Sequence, residues 1–113
     1  MIGFSRAVVA GDRVFVAGTA PVMPDGGDPP SDAYGQARRC LEIVLDALRE
    51  AGAAPEQVVR TRTYLVDAAD WQEVGRAHGE VFADVRPAST MIGVRGFLDP
   101  RWRVEMEADA VLD

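Results

Sequence analysis

Lysine is absent from this chain of 113 residues, and all 12 of its basic side chains are arginine. That excludes any mechanism running through a lysine Schiff base. There is one cysteine, Cys40, and one histidine, His78, so an internal disulfide is impossible and a zinc site of the usual ligand types is nearly excluded. No apolar run is long enough to cross a bilayer, and the N-terminal residues carry no basic start followed by an apolar stretch. With the lone cysteine, this reads as a cytoplasmic protein in a reducing compartment, with no membrane partner. Positive charge is also scarce: 18 acidic residues give a net charge of −6, which opposes nucleic acid as a partner unless the arginines share one surface. No basic stripe is visible. Phosphate loops, dinucleotide fingerprints, nucleophile elbows and metal-binding helices are all missing, so no cofactor and no metal are implied.

What is present is ordinary globular composition, 48% apolar and 27% charged, in a length that suits a single domain over residues 1–113. Two β-branched and aromatic runs, at about 5–9 and 14–19, are separated by Ala10-Gly11-Asp12-Arg13, the chemistry of a hairpin turn. "PVMPDGGDPPSD", residues 21–32, holds four prolines and two glycines and reads as a surface loop. From Ser31 the period changes. Ala37, Leu41, Val44, Leu45 and Leu48 recur at helical spacing, with Ser31 or Asp32 as cap and Gly52 as stop. "VVRTRTYLV" follows as a strand, and then "DWQEVGRAHGEVF" as a second helix. In that helix Asp70 and Glu73 form a capping-box pattern, and Trp71, Val74, His78, Val81 and Phe82 share a face. "RPASTMIGV" gives a turn and a strand to about Val94. The last segment alternates Trp102, Val104, Met106, Ala108, Ala110 and Leu112 against Arg103, Glu105, Glu107 and Asp109.

The order ββαβαββ suits an α+β fold with one mostly antiparallel sheet and both helices on one face. The other face is then bare. Val8, Val14, Val16, Met91 and Val94 are too apolar for a fully wet surface, so a closed homo-oligomer is expected. Of the residues able to carry chemistry, His78 reads as a half-buried imidazole bonded to a backbone carbonyl, and Cys40 as a packing residue. The row Glu105, Glu107, Asp109 reads as a solvated or arginine-paired edge. If the bare face meets another chain, however, Glu105 is partly desolvated, and a raised pKa suits it to general acid/base work.

"FSRAVVAGDRVFVAGTAP", "AGAAPEQVVRTRTYLVDAADW", "VFADVRPASTMIGV" and "RVEMEADAV" together resemble the YjgF/RidA (Rid) family, in order and over essentially the whole chain. The resemblance implies a chorismate-mutase-like fold, a homotrimer, and three clefts between subunits. In the deaminase branch those clefts hydrolyse enamines and imines such as 2-aminoacrylate to 2-keto acids and ammonia. It places the cleft carboxylate, the catalytic group, on Glu105. Phe4, Arg6, Gly18, His78, Ser89, Thr90 and Met91 become the substrate-binding lining.

Several of these positions depart from the family pattern. The carboxylate-clamping arginine directly after Pro-Ala is Ser89 here; Phe4 lacks the hydroxyl of the usual tyrosine; Arg6 stands where glutamine is common; His78 stands where tyrosine is frequent. A serine offers one neutral hydrogen bond where a guanidinium offers a charged pair, so standard 2-aminoacrylate deamination is not expected. Arg6, Arg62, Arg95 and Arg103 are the candidates to supply the lost charge. Two readings follow: a hydrolase acting on an altered imine- or enamine-like metabolite, and a trimer that binds a small molecule without turnover. A third, endoribonuclease, is opposed by the charge.

Overall fold

The structure is a computed structural model and describes residues 2–113. Strands β1 (Ala7–Ala10) and β2 (Arg13–Thr19) form the expected hairpin, closed by Gly11 and Asp12, with Gly11 at φ +62°. Helix α1 (Ala33–Glu50) is followed by strand β3 (Val58–Leu65), helix α2 (Trp71–Phe82), strand β4 (Ala88–Gly93) and strand β5 (Val104–Val111). The sheet order is β1-β2-β5-β3-β4, so β5, which follows the other four in the chain, is the central strand. Every pairing is antiparallel except β3 with β4, joined through α2. The fold is the expected α+β arrangement.

One face of the sheet is dry. Val14 and Val16 of β2, Val58 and Leu65 of β3, and Val104, Met106, Ala108 and Ala110 of β5 are buried against Ala37, Cys40, Leu41, Val44 and Leu48 of α1 and Val74, Ala77 and Phe82 of α2. Each larger side chain buried this way contributes about 1.5–3 kcal/mol relative to its exposed state. Cys40 is a packing residue, as expected: its Sγ lies 3.7 Å from the Val104 carbonyl oxygen, and burial pushes its thiol pKa far up. Val14 and Val16 therefore point into the core and not onto the bare face. The apolar residues left on that other face are Val8, Phe15, Val59 and Ile92, all exposed. Alternation fixes which residues share a side. It does not say which side meets the helices.

Both helix starts fall where expected, with Asp32 and Asp70 as N-caps, but neither makes the side-chain bond of a cap. Asp32 is the N-cap of α1 without a side-chain cap bond. Asp70 precedes α2, but no capping box forms, because its carboxylate is held from the other side. Arg103 Nη2 donates to Oδ1 at 2.8 Å and Nε to Oδ2 at 3.2 Å, a two-pronged pair around a carboxylate only 6% exposed. Trp71, expected on the buried face, is exposed. Gln36 is the reverse case, a polar side chain in the core at 1% exposure. Its amide nitrogen donates to the Pro30 and Arg101 carbonyls at 2.8 and 2.9 Å, and its oxygen accepts from Arg103 N at 2.7 Å. Every polar atom of that side chain is thereby satisfied. Gln36 thus bonds both the loop before α1 and the chain entering β5, which Arg101–Asp28 and Arg103–Ser31 also join.

Candidate functional site

β5 alternates strictly. Val104, Met106, Ala108 and Ala110 are buried, so Glu105, Glu107 and Asp109 lie in a row on the face away from the helices. Two of the three have partners. Arg62 on β3, in register with Glu107, donates from Nη1 to Glu107 Oε1 and Asp109 Oδ2, both at 3.3 Å, and the Tyr64 hydroxyl donates to Glu107 Oε1 at 2.8 Å. The bland reading of the acidic row, pairing with arginine, holds for that pair. Glu105 differs. Among the described residues it has no ion pair within 4.0 Å, although it is only partly exposed.

The surroundings of Glu105 follow from an irregularity in β2. The β2–β5 register slips between Val16 and Thr19, and Gly18 sits in the slip. A Cβ on Gly18 would lie 3.7 Å from Glu105 Oε1, so the glycine leaves open space beside the carboxylate. Immediately before β1, Arg6 reaches to the same place: Nη1 donates to the Thr19 hydroxyl at 2.7 Å and to the Gly18 carbonyl at 3.3 Å. Desolvation by burial raises the Glu105 pKa above the ordinary glutamate value; Arg6 acts against that shift and Glu107 adds to it. Phe4, just upstream, is 73% exposed.

The remaining expected lining residues are elsewhere. On β4, Ser89 and Met91 are in register with Thr61 and Thr63 of β3, whose side chains are buried on the helix side. Ser89 Oγ is hydrogen-bonded to Thr61 Oγ1 at 2.9 Å, and Thr61 Oγ1 to His78 Nε2 at 2.8 Å. The partner of His78 is therefore a threonine hydroxyl, not the backbone carbonyl expected. Its ring also stands 4.8 Å from that of Phe82, and burial lowers its pKa, which keeps it neutral at neutral pH. Met91 reaches α2 beside Gly75, where a Cβ would be 3.8 Å from its Cε. Thr90 is turned to the opposite face, in register with Arg62.

One chain thus holds two separate groups: Glu105 with Gly18 and Arg6 on one side of the sheet, and Ser89, Thr61, His78 and Met91 on the other. No single pocket of this chain is made from both. A hollow of about 290 Å³ between β1 and the last turn of α1 is lined in part by Arg6, and a groove of about 350 Å³ on the bare face by Arg13, Phe15, Val59, Arg60 and Asp109. Neither includes Glu105 or Ser89. Of the arginines that could replace the missing clamp, Arg62 and Arg103 are already engaged with carboxylates. Sequence reasoning missed Thr61, which links Ser89 to His78; a buried threonine in a Val/Thr-rich strand carries no signal of its own. No cluster of three or more metal-ligating side chains occurs among the described residues, and none of their helices is long and apolar enough to cross a membrane.

An α+β sheet with a glutamate standing free in its central strand defines the class to compare. Residues 1–112 match the sequence profile of the endoribonuclease L-PSP family. Relatives include the Streptomyces coelicolor protein SCO2049, 44% identical over 96% of this chain and 81% of that protein. A RutC family protein of Pyrococcus abyssi is 33% identical over 95% and 84%. Among solved structures, Rv2704 of Mycobacterium tuberculosis superposes with a TM-score of 0.89 at 40% identity, over 98% of this chain and 88% of that one. Rv2704 is a member of the YjgF/YER057c/UK114 family. TdcF of E. coli, solved with bound serine, gives 0.91 at 25% identity over 100% and 91%. The chain belongs to this YjgF/RidA family, as its motifs suggested.

Proposed function

We propose that the protein is a homotrimer joined through its uncovered sheet face, and that clefts between its subunits bind a small metabolite and hydrolyse imine- or enamine-like compounds. The observation that carries this reading is Glu105: alone in its row it lacks an ion-pair partner, it borders the space left by Gly18, and desolvation raises its pKa toward the working range of a general acid/base. The exposed Val8, Phe15, Val59 and Ile92 support association through that face, which would desolvate Glu105 further. The serine held by TdcF supports a ligand of amino-acid size. Assembly would also let Glu105 of one subunit face a wall carried by another.

In such a cleft the Glu105 carboxylate takes a proton from water as its oxygen bonds to the iminium carbon. The carbinolamine nitrogen then receives that proton from the carboxylic acid and the C–N bond breaks, while the regenerated carboxylate takes the hydroxyl proton and passes it to the departing ammonia, so that the carbonyl compound and ammonium are released. With Ser89 in place of a guanidinium, carboxylate-bearing 2-aminoacrylate is a poor substrate. The test generates imines in situ, with an amine oxidase for carboxylate-free ones and an amino-acid source for 2-aminoacrylate, and follows carbonyl product and ammonia. Acceleration confined to the carboxylate-free imines and abolished by Glu105→Gln is expected. No acceleration of any imine by a trimer that binds small ligands would leave only the binding reading. The ribonuclease reading is opposed by the charge of −6 and by the engagement of Arg38, Arg49, Arg62, Arg101 and Arg103 with carboxylates.

A further inference from the structure

The three-member chain Ser89–Thr61–His78 stands where the resemblance puts the carboxylate clamp, and it has a chemistry of its own. Thr61, 4% exposed, is hydrogen-bonded on both sides by one hydroxyl. That hydroxyl has a single proton, so what it does toward one neighbour fixes what it does toward the other. When His78 Nε2 is bare, Thr61 donates to it and accepts from Ser89, which leaves the Ser89 lone pairs facing outward. When Nε2 carries the proton, Thr61 accepts from it and donates to Ser89, which frees the Ser89 proton to point outward. A neutral imidazole has both tautomers available, so the exposed hydroxyl at the end of the chain serves equally as donor or acceptor.

No arginine is hydrogen-bonded to any member of the chain, and Arg62, on the neighbouring strand, is turned to the other face and occupied by Glu107 and Asp109. Within one chain, an anion placed against Ser89 would therefore meet a neutral dipole with no guanidinium hydrogen-bonded beside it. A group that both donates and accepts would find a matching partner in either tautomer.

We infer that Ser89 is a specificity-determining residue that selects ligands presenting an uncharged, amide-like group at the position where a carboxylate would otherwise be clamped, with His78 as a positioning residue acting through Thr61. This rests on the small-molecule cleft proposed above and names its ligand class. It does not depend on turnover.

The test compares two stable probes, pyruvamide and pyruvate, by calorimetric and NMR titration of the intact protein. The amide is expected to bind at least about tenfold more tightly. Ser89→Arg is expected to reverse the order. Binding of the amide is expected to move the His78 ¹⁵Nε2 resonance, a signature lost in Thr61→Val, which keeps the volume but breaks the chain, and retained in a control change at the distant Arg49→Ala. Tighter binding of pyruvate by the unaltered protein overturns the inference, as does an unchanged order in Ser89→Arg, a His78 signal indifferent to the amide, or no measurable binding of either probe. Hydrolysis of imines lost in Glu105→Gln, alongside any of those results, would sink this inference and leave the hydrolytic reading standing. Amide selectivity without hydrolysis would do the opposite.

Discussion

Glu105 and Glu107 occupy the same face of β5, one pleat apart, and differ in almost every other respect. Glu107 accepts from Arg62 and from Tyr64, and the Tyr64 hydroxyl, held by that bond, has its pKa raised in turn. Glu105 has a gap left by a glycine and an arginine that prefers a threonine hydroxyl and a carbonyl. The sequence presents them as equivalent members of one alternating run. What separates them is Gly18, in the register slip of β2, which puts a residue without a side chain next to Glu105. A carboxylate that is paired contributes to the sheet; one that is half-desolvated and unpaired costs stability, and such costs are commonly retained where chemistry is done.

The comparison can be broken most completely at the level of assembly. Phe15→Asp puts a charge on the uncovered face, and light scattering should show a trimer for the unaltered protein and monomers for the variant; a monomeric unaltered protein would remove the basis for a cleft. Next in size is catalysis: Glu105→Gln should lower imine hydrolysis by roughly 100-fold or more, in the range expected for loss of a general acid/base, and Glu107→Gln by far less. Third is stability. Arg62→Leu leaves Glu107 and Asp109 repelling each other and should cost about 1 kcal/mol in denaturant unfolding, since the pair is partly solvated. The smallest effect sharpens the contrast through pH. Because the folded-state pKa of Glu105 is raised, its protonation favours the fold below the ordinary glutamate value, and that contribution is lost as pH rises from there through the raised value. Glu105→Gln should therefore be more stable than the parent at neutral pH, with the gap closing as pH falls. Carbon-detected titration of Glu107→Gln should show the Glu105 pKa moving down but staying above the ordinary value, because desolvation is the larger cause.

Much of this architecture was legible from period alone. The change from alternation to helical spacing at Ser31, the hairpin at Gly11-Asp12 and the strict alternation of 104–111 are local signals, and each element sits within a few residues of where they point. The parallel pairing of β3 with β4 was not legible, since nothing in either strand specifies its neighbour's direction. Asp70 illustrates the limit for sites. Its capping-box spacing is a real local pattern, but Arg103, 33 positions away, takes the carboxylate instead. Glu105 could be singled out through family resemblance and through the repulsion within its row. That its neighbours are neutralised and it is not depends on Arg62 and Gly18, whose positions only the folded sheet brings together.

The place of β5 between β2 and β3 has a consequence for how the molecule comes into being. During synthesis the β1–β2 hairpin and the β3–α2–β4 unit emerge first, with no strand between them to join their sheets. Each presents an open edge until β5 leaves the ribosome and inserts. The strand that carries Glu105 is thus also the one that closes the two nascent halves into one sheet, so a polypeptide lacking residues 104–111 would lose its architecture along with its chemistry.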